Sequence, residues 1–563
     1  MTVQRTYSYF FRWLRVVPSG MFLMAGLITA ICILPFFAII WVALTSDVTT
    51  IGNLAQTVLL GYVGNTIALV ALVALGCALL GTGAAWLVVS CDFPARKLFE
   101  ILLVVPLAFP AYVLAYAYTH LLDHPGIVQT VLRDVMGWGP RDYWFPEIRS
   151  LGGAALMLTL VLYPYVYLLA RTAFGAQSAA VSLAARTLGS SHRAAFFKIS
   201  LPMARPAIAS GVLLVMMETI ADFGTVAHFG VPTFATGIYT TWFTLADRGA
   251  AAQLALGLLA FALLLALLER GQRGGARYAA GQQTRVERSM LSGWRAAGAM
   301  TLCAVPIIFG VVVPTIALFV MAIGSEQDLT SPRYADFIGN SLTLAGVAAF
   351  VTVGAAITLG SLQRLRPGKM ANAAVHIARL GYAVPGGVIA VGLFVPFAGL
   401  DNMFNGWMQR NYGISTGLLI TGSIWLLIAA YMVRFLAAAL GAYETGAAGI
   451  SQNLDAVSRV LGQSGWATVR RVHVPLMTPA ILTAGLIVFV DVMKELPATL
   501  IMRPFNFDTL AVQAYRLASD ERLQDAAVPS LLIAAIGLMP VIILCRKVRR
   551  TPHVKPRSIP SNV

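Results

Sequence analysis

Long uncharged runs of apolar residues recur along the chain and predict membrane-spanning helices. A helix needs about 20 apolar residues to cross about 30 Å of hydrocarbon. Ten runs of that kind lie at 21–44, 64–90, 101–118, 151–170, 249–268, 298–323, 340–361, 380–397, 414–433 and 526–545. The pattern predicts an all-α polytopic membrane protein, and no hydrophilic stretch is long enough to form a separate soluble domain.

Two further apolar runs are interrupted by acidic residues. The uncharged run between Arg205 and Glu218, and the one between Pro479 and Asp491, are each too short to cross the bilayer alone. Each segment spans the membrane only if its helix continues through the carboxylates. Counting both gives a prediction of about twelve transmembrane helices.

Composition and charge distribution agree with this topology. Of the 563 residues, 58% are hydrophobic and 11% are charged, which is typical of a polytopic membrane protein. The net charge of +16 comes mostly from Lys and Arg in loops that alternate spans place on one side, and most Asp and Glu fall on the other side. This positive-inside asymmetry predicts that both termini are cytoplasmic, and it indicates contact with the lipid bilayer rather than with nucleic acid.

The chain contains two copies of one plan. "GNTIALVALV" from Gly64 matches "GNSLTLAGVA" from Gly339, and "TLGSSHRAAFFKISLPMARPAI" matches "VLGQSGWATVRRVHVPLMTPAI" at a constant separation of 273 residues. Six spans per copy return the chain to its starting side, so we expect parallel repeats related by a pseudo-two-fold axis along the membrane normal. Residues 1–269 and 294–563 are expected to form the repeats, with the Gly-rich, basic segment 270–293 as a cytoplasmic linker.

The second matched pair includes a cytoplasmic loop. Gly189 precedes "ISLP", which ends at Pro202, and Gly462 precedes "VHVP", which ends at Pro475. A Gly permits a tight turn between two helical pieces, and a Pro fits the first turn of the next helix. Because duplication preserved the spacing from Gly to Pro, we interpret each loop as a docking element rather than as an ordinary basic loop lying on the membrane.

These loops resemble the EAA loop of permease subunits of binding-protein-dependent ABC importers. The segments read "LAARTLG" and "AVSRVLG", and both lack the glutamate with which the family's motif begins. The residues carried over are Ala184, Ala185, Arg186, Gly189 and Pro202 in the first copy and Arg459, Gly462 and Pro475 in the second. The resemblance implies that each loop docks on a cytoplasmic ATPase subunit, with two copies in all. This chain contains no G-x-x-x-x-G-K-[ST] motif, so ATP would be bound by that partner.

Two pairs of acidic residues lie inside the interrupted runs. Glu218 and Asp222 occupy the first, and Asp491 and Glu495 occupy the same places 273 residues later. A helix that starts at Pro206 would carry Glu218 about 18 Å, slightly beyond the bilayer midplane. A spacing of four residues would place both acids of a pair on one helix face.

Charges at that depth cost between about 2.5 and 17 kcal/mol unless they face water or a partner. We therefore expect Glu218, Asp222, Asp491 and Glu495 to line a central path that favours cations and contacts a metal ion transiently. The alternative is a structural role, in which Lys494 pairs with one of its neighbouring acids.

A second resemblance covers most of the chain. The segments 218–242 and 494–532, together with the GN segments and both loops, are similar to fused, twelve-span ferric-iron permeases of ABC importers. It implies the type I importer permease fold, ferric iron as the transported substrate, a periplasmic ferric-binding protein as a partner, and a bacterial inner-membrane location. Such a chain is a transport subunit and not an enzyme.

Two kinds of alternative stay open at this point. Related permeases carry thiamine, polyamines or phosphonates, so these are alternative cargoes. A secondary transporter that needs no ATPase is the alternative of a different class, because twelve spans in two parallel repeats also describe major-facilitator proteins.

Aromatic and histidine side chains are weaker candidates for iron ligands. They are Tyr116, the cluster at Tyr163, His228 and Tyr239. Aromatic residues at span ends more often anchor a helix in the membrane interface. The loop from Thr119 to Arg149 is longer than its counterpart and either helps to dock the binding protein or caps the fold.

Overall fold

The computed structural model describes residues 19–177, 194, 196–273, 288–328 and 330–550. Nearly all regular structure in these ranges is helical. Ten helical segments among them are long and apolar enough to cross a membrane, and the number rises to 12 if each of two sharply bent helix pairs counts as one span. The predicted class, an all-α polytopic membrane protein of about twelve spans, is confirmed.

The described part of the first repeat consists of long helices separated by short ones. The α-helices are α1 (Ser19–Thr45), α2 (Thr49–Thr57), α3 (Leu59–Ser90), α4 (Arg96–Leu102), α5 (Ala111–Leu122), α6 (Ile127–Met136), α7 (Leu151–Ala176), α8 (Leu201–Ala221), α9 (Gly224–His228), α10 (Phe234–Tyr239) and α11 (Arg248–Arg273). A 3₁₀ turn at Val105–Ala108 and π turns at Phe196–Ser200 and Thr240–Thr244 connect some of them.

The second repeat follows the same order. Its α-helices are α12 (Gly293–Ile307), α13 (Val313–Ile323), α14 (Pro332–Leu365), α15 (Lys369–Leu380), α16 (Gly386–Tyr412), α17 (Ile424–Ala448), α18 (Gln452–Val460), α19 (Gly465–Thr468), α20 (Val474–Leu476), α21 (Thr478–Met493), α22 (Pro497–Met502), α23 (Leu510–Ser519) and α24 (Leu523–Arg550). Short turns lie at Ile308–Val312, Gly381–Ala383 and Val469–His473. A parallel two-residue pairing of β1 (Cys91–Asp92) with β2 (Ser289–Met290) ties the segment just before α12 to the first repeat.

The span predicted at 101–118 is not one continuous helix. α4 ends at Leu102, a 3₁₀ turn follows, and the pieces before and after Pro110 meet at 92°. Phe109 is extended, with φ −89 and ψ 132. Proline lacks an N–H and disfavours helical geometry in the residue before it. The prediction of an unbroken span was therefore wrong at this proline.

The span of the second repeat predicted at 380–397 starts and ends later than predicted. The run 380–397 contains Pro385, and α16 begins only after it and continues to Tyr412. That helix ends at Gly413, whose φ of 67 suits a left-handed helix terminus. Both boundaries follow from backbone rules at Pro and Gly.

The run 414–433 was wrongly predicted to be helical throughout. α17 begins at Ile424, because the preceding residues turn around the buried Asp401 carboxylate. Asp401 accepts hydrogen bonds from the Ile420 N–H at 3.0 Å and from the Thr421 N–H and hydroxyl at 2.8 and 2.7 Å. A single buried acid of α16 thus displaces the start of α17 by about ten residues, which the apolar pattern alone does not reveal.

The two repeats share one hydrophobic core. A single buried cluster contains residues of α1, α8 and α11 together with residues of α14, α16 and α17. α1 crosses onto the second repeat, where its Pro35 lies against Gly392 of α16. A Cβ at Gly392 would lie 2.6 Å from the Pro35 carbonyl oxygen and 2.8 Å from the Pro35 Cβ. The close approach of these helices therefore requires a residue without a side chain.

Replacement of Gly392 by Ala tests this contact. The added methyl group must push α1 away from α16, and overpacking of this kind costs about 1–3 kcal/mol. We expect Gly392→Ala to lower the unfolding temperature of the purified protein in detergent. The matched control is Gly399→Ala in the same helix, where a Cβ meets nothing within 4 Å. Equal unfolding temperatures for the two variants would contradict the packing described here.

Candidate functional site

The four predicted acids lie where a long helix of each repeat ends. α8 ends at Ala221, and Asp222 is already extended, with φ −69 and ψ 129. In the second repeat α21 ends at Met493, two residues before Glu495. The prediction that one helix runs through both acids and presents them on one face was wrong. The second acid of each pair lies beyond the helix end.

In the first repeat this second acid begins the next helix. Asp222 accepts hydrogen bonds from the Thr225 N–H at 3.1 Å, the Thr225 hydroxyl at 3.0 Å and the Val226 N–H at 3.3 Å. These N–H groups belong to the first turn of α9 and have no partner within the helix. The carboxylate therefore caps α9, and its negative charge suits the positive end of the helix.

The second repeat places the same arrangement at the equivalent position. Glu495 accepts hydrogen bonds from the Ala498 N–H at 3.0 Å, the Thr499 N–H at 3.2 Å and the Thr499 hydroxyl at 2.9 Å. It thereby caps α22 as Asp222 caps α9. The second acid of each pair, expected from the sequence to line the path, thus has a structural task in both repeats.

The first acid of each pair has a side-chain partner instead. Glu218 accepts a hydrogen bond of 2.9 Å from the Tyr382 hydroxyl, which comes from the other repeat. Tyr382 is also hydrogen-bonded to Tyr165 of α7. Asp491 lies 3.0 Å from the Lys494 ammonium group, which is the pairing considered from the sequence. Both of these carboxylates remain partly accessible.

Arg434 of α17 joins the acids of the two repeats. Its guanidinium lies 3.4 Å from the Glu495 carboxylate, and it interacts electrostatically with Glu218 and Asp491 as well. A Cβ at Gly386 would collide with both Arg434 and Glu495, so the glycine makes room for the pair. Sequence reasoning missed Arg434, although a lone base within the apolar run "IWLLIAAYMVRFLAAAL" is itself an indication of an intramembrane site.

Glu218, Asp222, Asp491 and Glu495 together form what we call the carboxylate cluster. Glu218 interacts electrostatically with Asp222 within its own repeat, and Arg434 links it to the acids of the other repeat. Arg434 and Lys494 provide two positive charges for four carboxylates, so the cluster is formally negative. Such a site attracts cations and repels oxyanions. Among the described residues, no group of three or more His, Cys, Asp or Glu is arranged to hold a metal ion, so the cluster is not a preformed metal centre.

Aromatic side chains from both repeats meet beside the cluster. Phe223 stacks on Tyr239 with ring centroids 3.8 Å apart and lies 5.5 Å from Tyr515 of the second repeat. The Tyr239 hydroxyl donates to the Pro497 carbonyl oxygen across the same interface. This hydrogen bond gives Tyr239 a packing role at the contact between the repeats.

The other candidate iron ligands also contact protein groups. Tyr163 donates a hydrogen bond of 2.9 Å to the Leu103 carbonyl oxygen. His228 lies 3.0 Å from the Thr119 hydroxyl, and its ring packs edge-on against Tyr116 at 4.8 Å. The structure therefore does not gather these residues and Tyr239 into one ligand set.

The loop from Thr119 to Arg149 contacts the second repeat. Arg149 lies 2.9 Å from the Asp123 carboxylate and donates two hydrogen bonds of 2.8 Å to Glu521 of the second repeat. These contacts make the loop a cap over the interface. Trp144 within it remains 85% exposed.

The docking loops are only partly described. Ala184, Ala185, Arg186 and Gly189 of the first loop lie outside the described residues, and Pro202 lies in the first turn of α8 as predicted. The second loop forms two helical pieces, α18 and α19, with Gly462 between them at a φ of 73.

The second loop has the turn and the helix start that the sequence predicts. The Gln463 N–H donates to the Ser458 carbonyl oxygen at 3.1 Å, as in a glycine-terminated helix. Pro475 lies in the first turn of the next helix, and Arg459 is exposed. The predicted helix–turn–helix shape of this loop is confirmed.

α18 has an inverted distribution of polar and apolar residues. Its inner face buries Asp455 and Ser458, whereas Leu454, Val457 and Leu461 are 41%, 53% and 70% exposed. The charge distribution predicts a cytoplasmic position for this loop, away from lipid. A contiguous apolar surface exposed to water marks a site of protein contact.

Two stretches of the chain match a known protein family. A profile of the family described as "Binding-protein-dependent transport system inner membrane component" matches residues 78–273 and again residues 351–548. The Fe(3+)-transport system permease protein FbpB 2 of Haemophilus influenzae is 25% identical over 492 residues, covering 85% of this chain and 88% of the relative.

Two further transport system permeases are similar to this chain. The ferric transport system permease protein FbpB of Actinobacillus pleuropneumoniae is 22% identical over 544 residues, covering 91% of this chain and 76% of the relative. The molybdenum transport system permease protein ModB of Escherichia coli is 29% identical over 190 residues, covering 33% of this chain and 80% of the relative.

The two family matches lie one in each repeat and together cover more than half of the chain. The resemblance drawn from the paired loops is thereby confirmed. The chain belongs to the family of binding-protein-dependent transport system inner membrane components.

Proposed function

We propose that this chain is the permease subunit that moves ferric iron from a periplasmic binding protein to the cytoplasm, driven by separate ATPase subunits. The observation that carries the proposal is the carboxylate cluster: Arg434 pairs with Glu495 and interacts electrostatically with Glu218 and Asp491, and Asp222 interacts with Glu218. The names of relatives that match along most of the chain support the same cargo. A formally negative cluster does not suit an oxyanion, so the partial match to a molybdenum permease carries less weight.

The proposed path runs between the repeats through the carboxylate cluster. In the described state Arg434 and Lys494 lie beside Glu495 and Asp491. A ferric ion entering the path would compete with these resident cations for the carboxylates. Weak, shared contacts of this kind allow a cargo ion both to enter and to leave, as conduction requires.

ATP hydrolysis would drive the change through the docking loops. The inverted face of α18 supports an apolar contact with a cytoplasmic ATPase subunit, and the repeated loop supports one subunit for each repeat, two in all. Both termini would then lie in the cytoplasm. We place the repeats at 1–269 and 294–563, with 270–293 as their linker. Closure of the ATPase can shift the equilibrium between two permease conformations only if the ATPase contacts those conformations differently.

Uptake by reconstituted protein tests the proposal. We expect vesicles that contain the chain, its ATPase and a periplasmic ferric-binding protein to take up radioactive ferric iron only when ATP is supplied. Leu461→Asp should abolish copurification of the ATPase, because it adds a charge to the exposed face next to α18. The control Val135→Asp changes a residue that is 74% exposed on the opposite side and should leave the ATPase bound.

Three results would contradict parts of this proposal. Uptake without any ATPase would favour a secondary transporter. ATP-dependent uptake of thiamine or a polyamine, with no uptake of iron, would retain the importer and replace its cargo. Normal ATPase binding by Leu461→Asp would remove the docking role of this face.

Neutral substitutions test the path role of the first acids. Glu218→Gln combined with Asp491→Asn removes two negative charges from the cluster while the helix caps remain. We expect iron uptake to fall by at least about tenfold, equivalent to about 1.4 kcal/mol, with the ATPase still bound. The matched control combines Glu147→Gln with Asp134→Asn, both of which are exposed and outside the cluster. Uptake equal to that of the control would exclude a path role for these two acids.

Stability measurements test the capping role of Asp222, the second acid of the first pair. Asp222→Ala removes the acceptor for the first turn of α9, and loss of such a cap costs about 0.5–2 kcal/mol. Asp222→Asn keeps a side-chain acceptor, so it should retain most of the stability. Unfolding temperatures in detergent distinguish the variants. If Asp222→Ala were as stable as the unsubstituted protein, the carboxylate would not be acting as a cap.

A further inference from the structure

Three side chains fasten the second docking loop to the ends of the membrane helices. Asp455 of α18 lies between Arg364, at the end of α14, and His473, in the turn before α20. Arg364 Nε donates to one carboxylate oxygen at 2.7 Å, and His473 Nε2 lies 2.7 Å from the other. Both oxygens of Asp455 are therefore engaged by groups outside α18.

Arg364 extends the same connection to a third helix. Its Nη1 donates to the Ala447 carbonyl oxygen at 2.6 Å and its Nη2 to the Ile450 carbonyl oxygen at 2.9 Å. The Ala447 carbonyl group lies in the last turn of α17, and that of Ile450 lies just beyond the helix end. One guanidinium thus joins the ends of α14 and α17 to α18.

The connection is buried, which makes it rigid. Asp455 is 6% exposed and His473 is 1% exposed. Burial by itself would oppose ionisation of Asp455, but the hydrogen bonds from His473 and Arg364 outweigh it, and the pKa of this carboxyl lies below its usual value. A charge-assisted contact of this geometry is short and directional. Tilting α18 relative to α14 would leave buried charges without partners, which is costly.

α17 leads from this connection directly to the carboxylate cluster. The helix is continuous from Ile424 to Ala448 and carries Arg434. From Ala447 to Arg434 is about 20 Å along the helix axis. A displacement of α18 can therefore reach the central guanidinium through one uninterrupted element.

The first repeat has different residues at the positions that correspond to this connection. At the constant separation of 273 residues, Ser182 corresponds to Asp455 and Ser200 to His473. At the separation of 275 that relates Gly64 to Gly339, Val89 corresponds to Arg364. Two hydroxyl groups and an isopropyl group cannot form an ionic connection, so the repeats differ in chemistry at this place.

We propose that Arg364, Asp455 and His473 are positioning residues that make the second docking loop move as one body with α14 and α17. The two docking loops are then unequal, and the movement of the ATPase reaches the carboxylate cluster chiefly through the second. This inference rests on the proposed function only where it assigns the loop to the ATPase; the connection itself is a property of the chain.

Hydrogen exchange on the full-length protein in lipid nanodiscs tests the connection. We expect Asp455→Asn to raise the exchange rate of the amides in 452–460 by at least about tenfold, because local opening no longer breaks the ionic contacts. Arg364→Lys keeps a positive charge, but the lysine cannot reach all the partners of the arginine. Its exchange rates should therefore lie between those of the unsubstituted protein and those of Asp455→Asn. The matched control is Arg379→Gln, which removes an ion pair with Glu444 at the same end of the bundle.

Transport measurements test the consequence for coupling. In vesicles with ATPase and binding protein, Asp455→Asn should lower iron uptake per ATP hydrolysed by at least about fivefold, while the ATPase remains bound. Ser182→Ala, at the corresponding place in the first loop, should change this ratio little. A purely structural role would lower the amount of assembled protein and leave the ratio unchanged.

The outcomes separate this inference from the proposed function. Unchanged exchange in both Asp455→Asn and Arg364→Lys overturns the connection, whatever the cargo. If hydrogen exchange is faster but the ratio of iron uptake to ATP hydrolysed is unchanged, the connection takes no part in coupling. If Asp455→Asn fails to assemble, Arg364→Lys decides both points. ATP-independent uptake by the unsubstituted protein would defeat the proposed function, yet the exchange result would still decide whether the loop is fastened.

Discussion

Every backbone N–H group inside a membrane needs a partner from the protein, and the centre of this structure follows from that constraint. A long helix breaks in each repeat, at Asp222 and at Glu495. Each break exposes the first turn of a new helix, and each acid bonds to that turn. The duplicated acids thus allow two helices to end and restart near the axis. The aromatic contacts between the repeats are built on the segments that restart there.

The acids of one pair are consequently not equivalent. Asp222 and Glu495 accept hydrogen bonds from backbone N–H groups of the helices they cap, whereas Glu218 and Asp491 contact the side chains of Tyr382 and Lys494. Arg434 breaks the symmetry, because it comes from one repeat only and faces acids of both. A permease built from duplicated halves thereby acquires a centre with one resident guanidinium. In the proposed function, this group is what a cargo cation must displace.

The second Gly-to-Pro loop has an unusual distribution of polar and apolar residues. α18 hides a carboxylate and exposes leucine and valine, which is unfavourable for an isolated helix in water. The arrangement is stable because Arg364 pairs with the buried carboxylate and His473 is hydrogen-bonded to it. The same ionic contacts that turn the apolar face outward also fix its position relative to α14 and α17. The contacts that leave the apolar face of α18 exposed are thus the same contacts that attach α18 to the helix bundle.

The sequence by itself determined the class, the number of spans, the duplication, the turn at Gly462 and the identity of the acidic residues. These follow from local composition, from backbone rules at Gly and Pro, and from a separation that stays constant along the chain. Errors at Pro110 and at the start of α17 arose where a proline or the buried Asp401 overrode a continuous apolar run.

Only the tertiary structure decided what each acid does. Tyr382 reaches Glu218 across 164 residues of sequence, and Arg434 reaches Glu495 across 61. No periodicity encodes such encounters, because they depend on how helices from two repeats cross and on which glycine leaves room. The capping role of Asp222 was equally hidden, since a helix that continues and one that stops at the acid share the same apolar pattern. The sequence thus specified which charges enter the membrane, and packing decided which partners make them tolerable there.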